Sequence, residues 1–248
     1  MIEVKNIHKT FGNNHVLQGI SAEFYEGKCN LIIGGSGSGK TTLLKCMVGL
    51  HQPEEGSVIY DGRDFTRMNF QSRIEIRTEI GMLFQGSALF DSMSVEDNIM
   101  FPLNMFTNQS RKEKLERANF CLERVNLSGK NKLFPAELSG GMKKRVGIAR
   151  AIAMNPKYLF VDEPNSGLDP KTALVIDELI QELTVEYGST TVVVTHDMNS
   201  VMGIGENIIF LHEGKKWWEG SKEHIAETDN KELNDFVFAS KFMQALKK

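Results

Sequence analysis

Apolar and polar residues along the chain divide it into strand-sized and helix-sized stretches. Ile2, Val4 and Ile7 begin a strand. Gly12-Asn13-Asn14 then predicts a turn into a second strand through Val16, Leu17 and Ile20. Cys29-Asn30-Leu31-Ile32-Ile33 is a short apolar run, the mark of a strand covered on both faces. A helical stretch ending at Gly49 follows it. A strand over 57–60 stops at the turn Asp61-Gly62, and another spans 79–85. From about residue 94 to 155 the pattern becomes mostly helical, with Met142, Val146, Ala149 and Ala153 at helical spacing until Pro156 ends it. Two further buried strands, 158–162 and 190–195, flank a helix over 171–187. The turn Glu213-Gly214 separates short strands at 208–211 and 216–218. The tail from Ser221 to Lys248 reads as helical, with Leu233, Phe236, Val237, Phe242, Met243 and Leu246 on a broad apolar stripe.

Strand–helix–strand alternation predicts an α/β fold with a parallel sheet, interrupted by a helical insertion at about 86–155. Composition narrows the class. At 41% apolar and 25% charged, the chain is neither collagen-like nor disordered. Its 29 basic and 32 acidic residues give −3, without the basic excess that a nucleic-acid partner usually requires. Three cysteines, an odd number with no Cys-x-x-Cys pair, read as reduced thiols packed as small hydrophobes. No apolar run nears the roughly 18 residues of a membrane helix, so a membrane role is expected only through a partner.

The candidate chemistry begins at residues 34–42, Gly34-Gly35-Ser36-Gly37-Ser38-Gly39-Lys40-Thr41-Thr42. Their pattern G-x-x-x-x-G-K-[ST] lies between a predicted strand and a predicted helix, as a phosphate-binding loop must. Glycines let successive N–H groups turn toward phosphate oxygens, and the helix adds its positive end. Lys40 would reach the β- and γ-phosphates, and the Thr41 hydroxyl would hold Mg²⁺. Downstream, Tyr158-Leu159-Phe160-Val161 runs into Asp162-Glu163. Asp162 suits a hold on Mg²⁺, and Glu163 could orient and deprotonate an attacking water. Ser139-Gly140-Gly141 is a good helix start for a phosphate, although taken alone a plain N-cap is the favoured reading. Lys143, Lys144 and Arg145 read as a solvated basic face. His196 ends a strand and could touch a γ-phosphate.

Taken in order, these segments resemble the ATP-binding-cassette (ABC) ATPases, over nearly the whole chain up to about residue 220. Residues 34–41 look like the Walker A motif, Gln85 like the Q-loop glutamine, and 138–142 like the family signature. Residues 160–163 look like the Walker B with its catalytic Glu163, 166–169 like the D-loop ending in Asp169, and His196 like the switch histidine. Phe11 falls where the family stacks an aromatic on adenine. The resemblance implies a P-loop fold with a RecA-like core, an N-terminal antiparallel β subdomain and an inserted α-helical subdomain. One cassette would cover 1–220 and a helical extension 221–248. It further implies ATP and Mg²⁺ as ligands, with Thr41, Gln85 and Asp162 at the metal. Two copies would pair head to tail, the ATP on one Walker A meeting Ser139, Gly140 and Gly141 of the other.

One departure narrows the resemblance. The signature ends in Met142 rather than the usual glutamine, and basic residues follow. This ending is similar to the cassettes of the bacterial lipid-asymmetry (Mla) transporters and their mammalian-cell-entry relatives, as are residues 84–95 with Asn98, Pro102 and Leu103. That subgroup implies a membrane permease, a periplasmic lipid-binding subunit, a possible small cytosolic accessory subunit, and attachment to the cytoplasmic face of a bacterial inner membrane. Apolar Ala88, Leu89, Phe90 and Met93 would meet the permease. Rival expectations are a cassette for amino acids, metals or lipoprotein release, and a soluble cassette outside transport.

Overall fold

Two sheets organise residues 1–238, the part of the chain that the computed structural model describes. The first is antiparallel, in the order β2 (Asn14–Phe24), β1 (Ile2–Phe11), β4 (Glu55–Tyr60), β5 (Arg63–Asp64). The second runs β10 (Lys215–Gly220), β9 (Asn207–His212), β3 (Cys29–Ile33), β8 (Thr190–Val194), β7 (Tyr158–Asp162), β6 (Ile80–Leu83). Its neighbours pair in parallel except β10, which returns antiparallel along β9.

Period-two alternation in the central strands builds two cores. Leu31 and Ile33, Leu159 and Val161, Val193, Ile208 and Phe210 face one core with the helices α3 (Val95–Phe106), α4 (Arg111–Arg124), α5 (Gly140–Ile152), α6 (Pro170–Tyr187) and α7 (Met198–Ile204). Ile32, Phe160, Val192, Val194, Ile209 and Leu211 face the other, against α1 (Lys40–Met47) and the antiparallel sheet. Burial on both faces explains why these strands are continuous apolar runs. The parallel strands β3, β6, β7 and β8 end on one edge, where ligands of open α/β sheets bind. Residues 34–39, Gln85, Glu163 and His196 all follow such strand ends.

Short elements depart from the expectation. The strand over 79–85 is trimmed to Ile80–Leu83. Two helices, α2 (Phe70–Thr78) and α7, have no readable apolar period. In α2 only Ile76 is buried, and α7 spans seven residues between its Asp197 cap and Gly205. The tail is not helical from Ser221. Residues 221–230 run through turns, and α8 (Lys231–Val237) starts where the Asn230 side chain accepts the Leu233 N–H. On the predicted stripe, Leu233 and Val237 are buried in the chain's own core and Phe236 packs on Phe210, while Phe242, Met243 and Leu246 lie outside the described residues.

Candidate active site

β3 delivers the chain into the loop 34–39, and α1 opens directly after it. Two glycines there are demanded by geometry. Gly34 has φ 148°, and a Cβ on it would sit 2.2 Å from the Leu211 carbonyl oxygen. Gly39, at φ 102°, would put a Cβ 2.8 Å from Leu17 Cδ2. The Lys40 ammonium folds over the loop and donates to the carbonyls of Gly34 at 2.9 Å and Gly35 at 2.8 Å. Burial pulls it below the usual lysine range, while Glu163 and Asp162 pull the other way.

Thr41 Oγ1 donates to Asp162 Oδ1 at 3.2 Å, joining the start of α1 to the end of β7. Burial raises the Asp162 carboxyl, and the Thr41 hydrogen bond opposes that shift. A hydroxyl and a carboxylate side by side form the oxygen donor set that Mg²⁺ takes when phosphates complete its shell. Among the described residues no group of three or more His, Cys, Asp or Glu could hold a metal ion. The buried Ser38 hydroxyl has no hydrogen-bond partner among the described residues.

One step past Asp162, Glu163 Oε1 lies 2.9 Å from His196 Nδ1. Glu163 has φ 48°, a left-handed conformation that costs a non-glycine residue energy. Its N–H donates to the Val194 carbonyl at 2.9 Å, pinning the loop to β8. Lys40, Thr41, Thr42, Gln85, Glu163 and His196 line one open cavity of about 1180 Å³.

Comparison with known proteins gives this cavity a family. The model of the family described as ABC transporter matches residues 17–166. The chain belongs to the ABC transporter family. ABC cassettes hydrolyse ATP, and this chain is one of them. It is 38% identical over 259 residues to the methionine import ATP-binding protein MetN of Campylobacter jejuni, covering 98% of this chain and 77% of the relative. It is 36% identical over 237 residues to the intermembrane phospholipid transport system ATP-binding protein MlaF of Haemophilus influenzae, covering 96% and 90%. Among solved structures it resembles the ATP-binding cassette MJ0796 in a dimeric post-hydrolysis state bound to ADP and Pi, with TM-score 0.82, 35% identity and coverage of 90% and 99%.

Several of the expected ABC site residues stand outside the cavity. Ser139, Gly140, Gly141 and Asp169 do not line it. The Ser139 hydroxyl caps α5 by accepting the Met142 N–H at 3.3 Å. A Cβ on Gly141 would lie 2.7 Å from Thr172 Cγ2, so α5 begins against the first turn of α6, which Asp169 caps. Phe11 is exposed, with the His51 ring edge-on at 5.3 Å. Its strand partner across the turn, Asn14, is the residue of that hairpin tip that lines the cavity.

Two basic side chains brace the loops beside this cavity: Lys144, expected to be solvated, and Arg150, which the sequence did not single out. Lys144 is buried, not solvated: its ammonium donates to the Glu163 carbonyl at 3.0 Å and to the Gln85 carbonyl. Burial lowers its pKa, and Asp162 and Glu163 act in the opposite sense. Arg150 donates to the carbonyls of Ser87 at 2.6 Å and Ala88 at 2.7 Å, and both those residues have positive φ. A signal existed for Lys144. It shares the i, i+4, i+7 face with Ile148 and Ala151, which are buried.

Proposed function

We propose that the chain is the ATP-hydrolysing subunit of a bacterial transporter that moves phospholipid between inner and outer membranes. It works as a pair of cassettes on a membrane permease, at the cytoplasmic face of the inner membrane. One observation carries the pairing: Lys40, Gln85, Glu163 and His196 share a cavity that Ser139, Gly140 and Gly141 do not reach. A γ-phosphate on Lys40 of one copy meets the free N–H groups and positive end of α5 from the other. Dimeric structures of the similar cassette MJ0796 support that arrangement. Thr41 and Asp162, with Gln85, would hold Mg²⁺, whose charge offsets that of the phosphates when it is bound. Glu163, oriented by His196, accepts the proton of the attacking water.

Support for phospholipid comes from the signature ending Met142-Lys143-Lys144-Arg145 and from the likeness to MlaF. Two experiments test the proposal. Glu163→Gln should lower turnover by roughly 10²–10⁴ while ATP still binds and a closed dimer accumulates on size-exclusion chromatography. Near-normal turnover would sink the assignment of the base. For the substrate, affinity purification from detergent-solubilised membranes should bring down a permease together with a lipid-binding subunit. Recovery of an amino-acid-binding subunit instead would overturn the lipid assignment.

A further inference from the structure

Behind the Glu163–His196 pair lies a buried polar cluster that none of the contacts above uses. Asn165, from the loop after β7, Asp177 of α6 and Ser200 of α7 are each at most 9% exposed. Asn165 Nδ2 approaches Asp177 Oδ1 at 2.9 Å, Asp177 Oδ2 at 3.0 Å and Ser200 Oγ at 2.9 Å. Ser200 also hydrogen-bonds the Asp177 carboxylate. Among the described residues no cation pairs with Asp177, so a buried carboxylate is held by neutral donors alone. Burial pushes it up to about 6, the bonds from Ser200 and Asn165 oppose that, and the Asp197 carboxylate at the cap of α7 adds to it. Facing it from β3 is the Cys29 thiol, itself pushed up to about 11 by burial and so neutral.

The placement of the cluster gives it a consequence. Asn165 stands two residues beyond Glu163, and Ser200 four beyond His196. The same two segments are thus tied twice, once in the cavity by Glu163 and His196 and once behind it through Asp177. Asn165 lines the cavity, and its Oδ1 has no hydrogen-bond partner among the described residues. We propose that Asp177 is a positioning residue for hydrolysis, clamping Asn165 to Ser200 and thereby setting the spacing of Glu163 and His196. This rests on the reading of Glu163 as base and His196 as its partner. As an anion Asp177 only accepts hydrogen bonds, which matches the Asn165 amide donors and the Ser200 hydroxyl. Protonation turns one oxygen into a donor and removes it as an acceptor for the Asn165 amide, which weakens the clamp. Acid should therefore slow turnover without loosening ATP.

The test is steady-state ATP hydrolysis by the full chain from about pH 5 to about pH 8. The variants are Asp177→Asn, Asn165→Asp, the double swap Asn165→Asp with Asp177→Asn, and Ser200→Ala. Each single change at 165 or 177 should lower kcat roughly tenfold near neutrality and leave KM for ATP within about twofold. The swap restores one amide and one carboxylate, and should recover most of the loss. Wild-type kcat should fall as pH drops through about 6. Ser200→Ala, the mildest change and the one kept if the others misfold, removes a bond that lowers the Asp177 pKa, so its acid limb should move to higher pH. Wild-type kcat in the folded single variants, or an acid limb unmoved by Ser200→Ala, would reduce the cluster to packing and overturn the proposal. The Glu163→Gln assay reads the underlying assignment separately, since it can fail or hold whatever the Asp177 variants do.

Discussion

At the scale of single residues, Lys144 shows how a basic side chain becomes structural. Its ammonium bridges the carbonyls of Gln85 and Glu163, so one group on α5 holds both the loop after β6 and the backbone of the proposed base. Lys144→Met keeps the length of the stem and removes the donor. Two partly buried carbonyls then lose this partner, a loss of about 1–3 kcal/mol. The expected outcome is a lower thermal midpoint together with reduced turnover. Unchanged turnover in a folded Lys144→Met protein would mean that the bridge does not position Glu163. Phe11 poses the opposite case, an aromatic left exposed, with Lys9 above its ring and His51 at its edge. If it stacks on the base, Phe11→Ala should weaken ATP and GTP alike by about 1–3 kcal/mol, because every base offers a π-face. Titration calorimetry reads this directly, and equal affinities would assign the ring to the hairpin.

Between elements, Asp61 is the joint that fastens the antiparallel sheet to the central one. From the turn between β4 and β5 it accepts the Tyr158 hydroxyl of β7 at 2.7 Å and pairs with Lys157 at 2.5 Å. Beside it Arg63 forms a two-pronged pair with Glu79 at 2.9 and 2.6 Å. Burial works to raise the Asp61 carboxyl, but the hydrogen bonds from Lys157, the terminal amine and Tyr158 hold it well below the usual carboxylate range. A folded pKa below the unfolded one, which is about 3.9, stabilises the protein above that pH and fades as pH falls further. Asp61 is partly exposed, so solvent screening limits the contribution to about 1 kcal/mol. Asp61→Asn should lower the thermal midpoint near neutrality, and the gap from wild type should close in acid. A gap constant down to about pH 2 would show that charge is not what fastens the joint.

At the scale of the whole molecule, the described part of the tail packs back onto the chain's own core. Leu233 is 0% exposed and Val237 2%, both within the core shared with the helical insertion, and Phe236 and Val237 also line the nucleotide cavity. Self-docking therefore accounts for the part of the stripe that is described. Deleting residues 230–248 should lower the thermal midpoint of the isolated monomer, and Leu233→Ala alone should cost about 2–5 kcal/mol. For Phe242, Met243 and Leu246 we propose a reach toward a second cassette or an accessory subunit. Deleting only 239–248 should then leave the monomer midpoint unchanged and weaken assembly. Normal assembly and hydrolysis after that deletion would defeat the partner role.

Residues 34–41, the run that ends in Asp162-Glu163, and the strands β3 and β7 were legible because each depends on its own neighbours. Glycines at fixed offsets set a local backbone path, and a strand buried on both faces must be apolar throughout. The resemblance to ABC ATPases drew on the order of such local segments. α2 and α7 were not legible, since each is too short or too polar to show a period. Nor were Lys144, Arg150, Asp177 and Ser200, whose side chains would be at home in water had packing not enclosed them. Thr41 and Asp162 are 121 positions apart in the chain, and only the placement of β7 beside β8, and β8 beside β3, brings them to 3.2 Å. By itself the sequence determined the conformations that neighbouring residues impose on one another. Which of those segments share an edge, and which polar groups are shut away from water between them, was decided by tertiary packing, because burial belongs to the assembled sheet and not to any one stretch of chain.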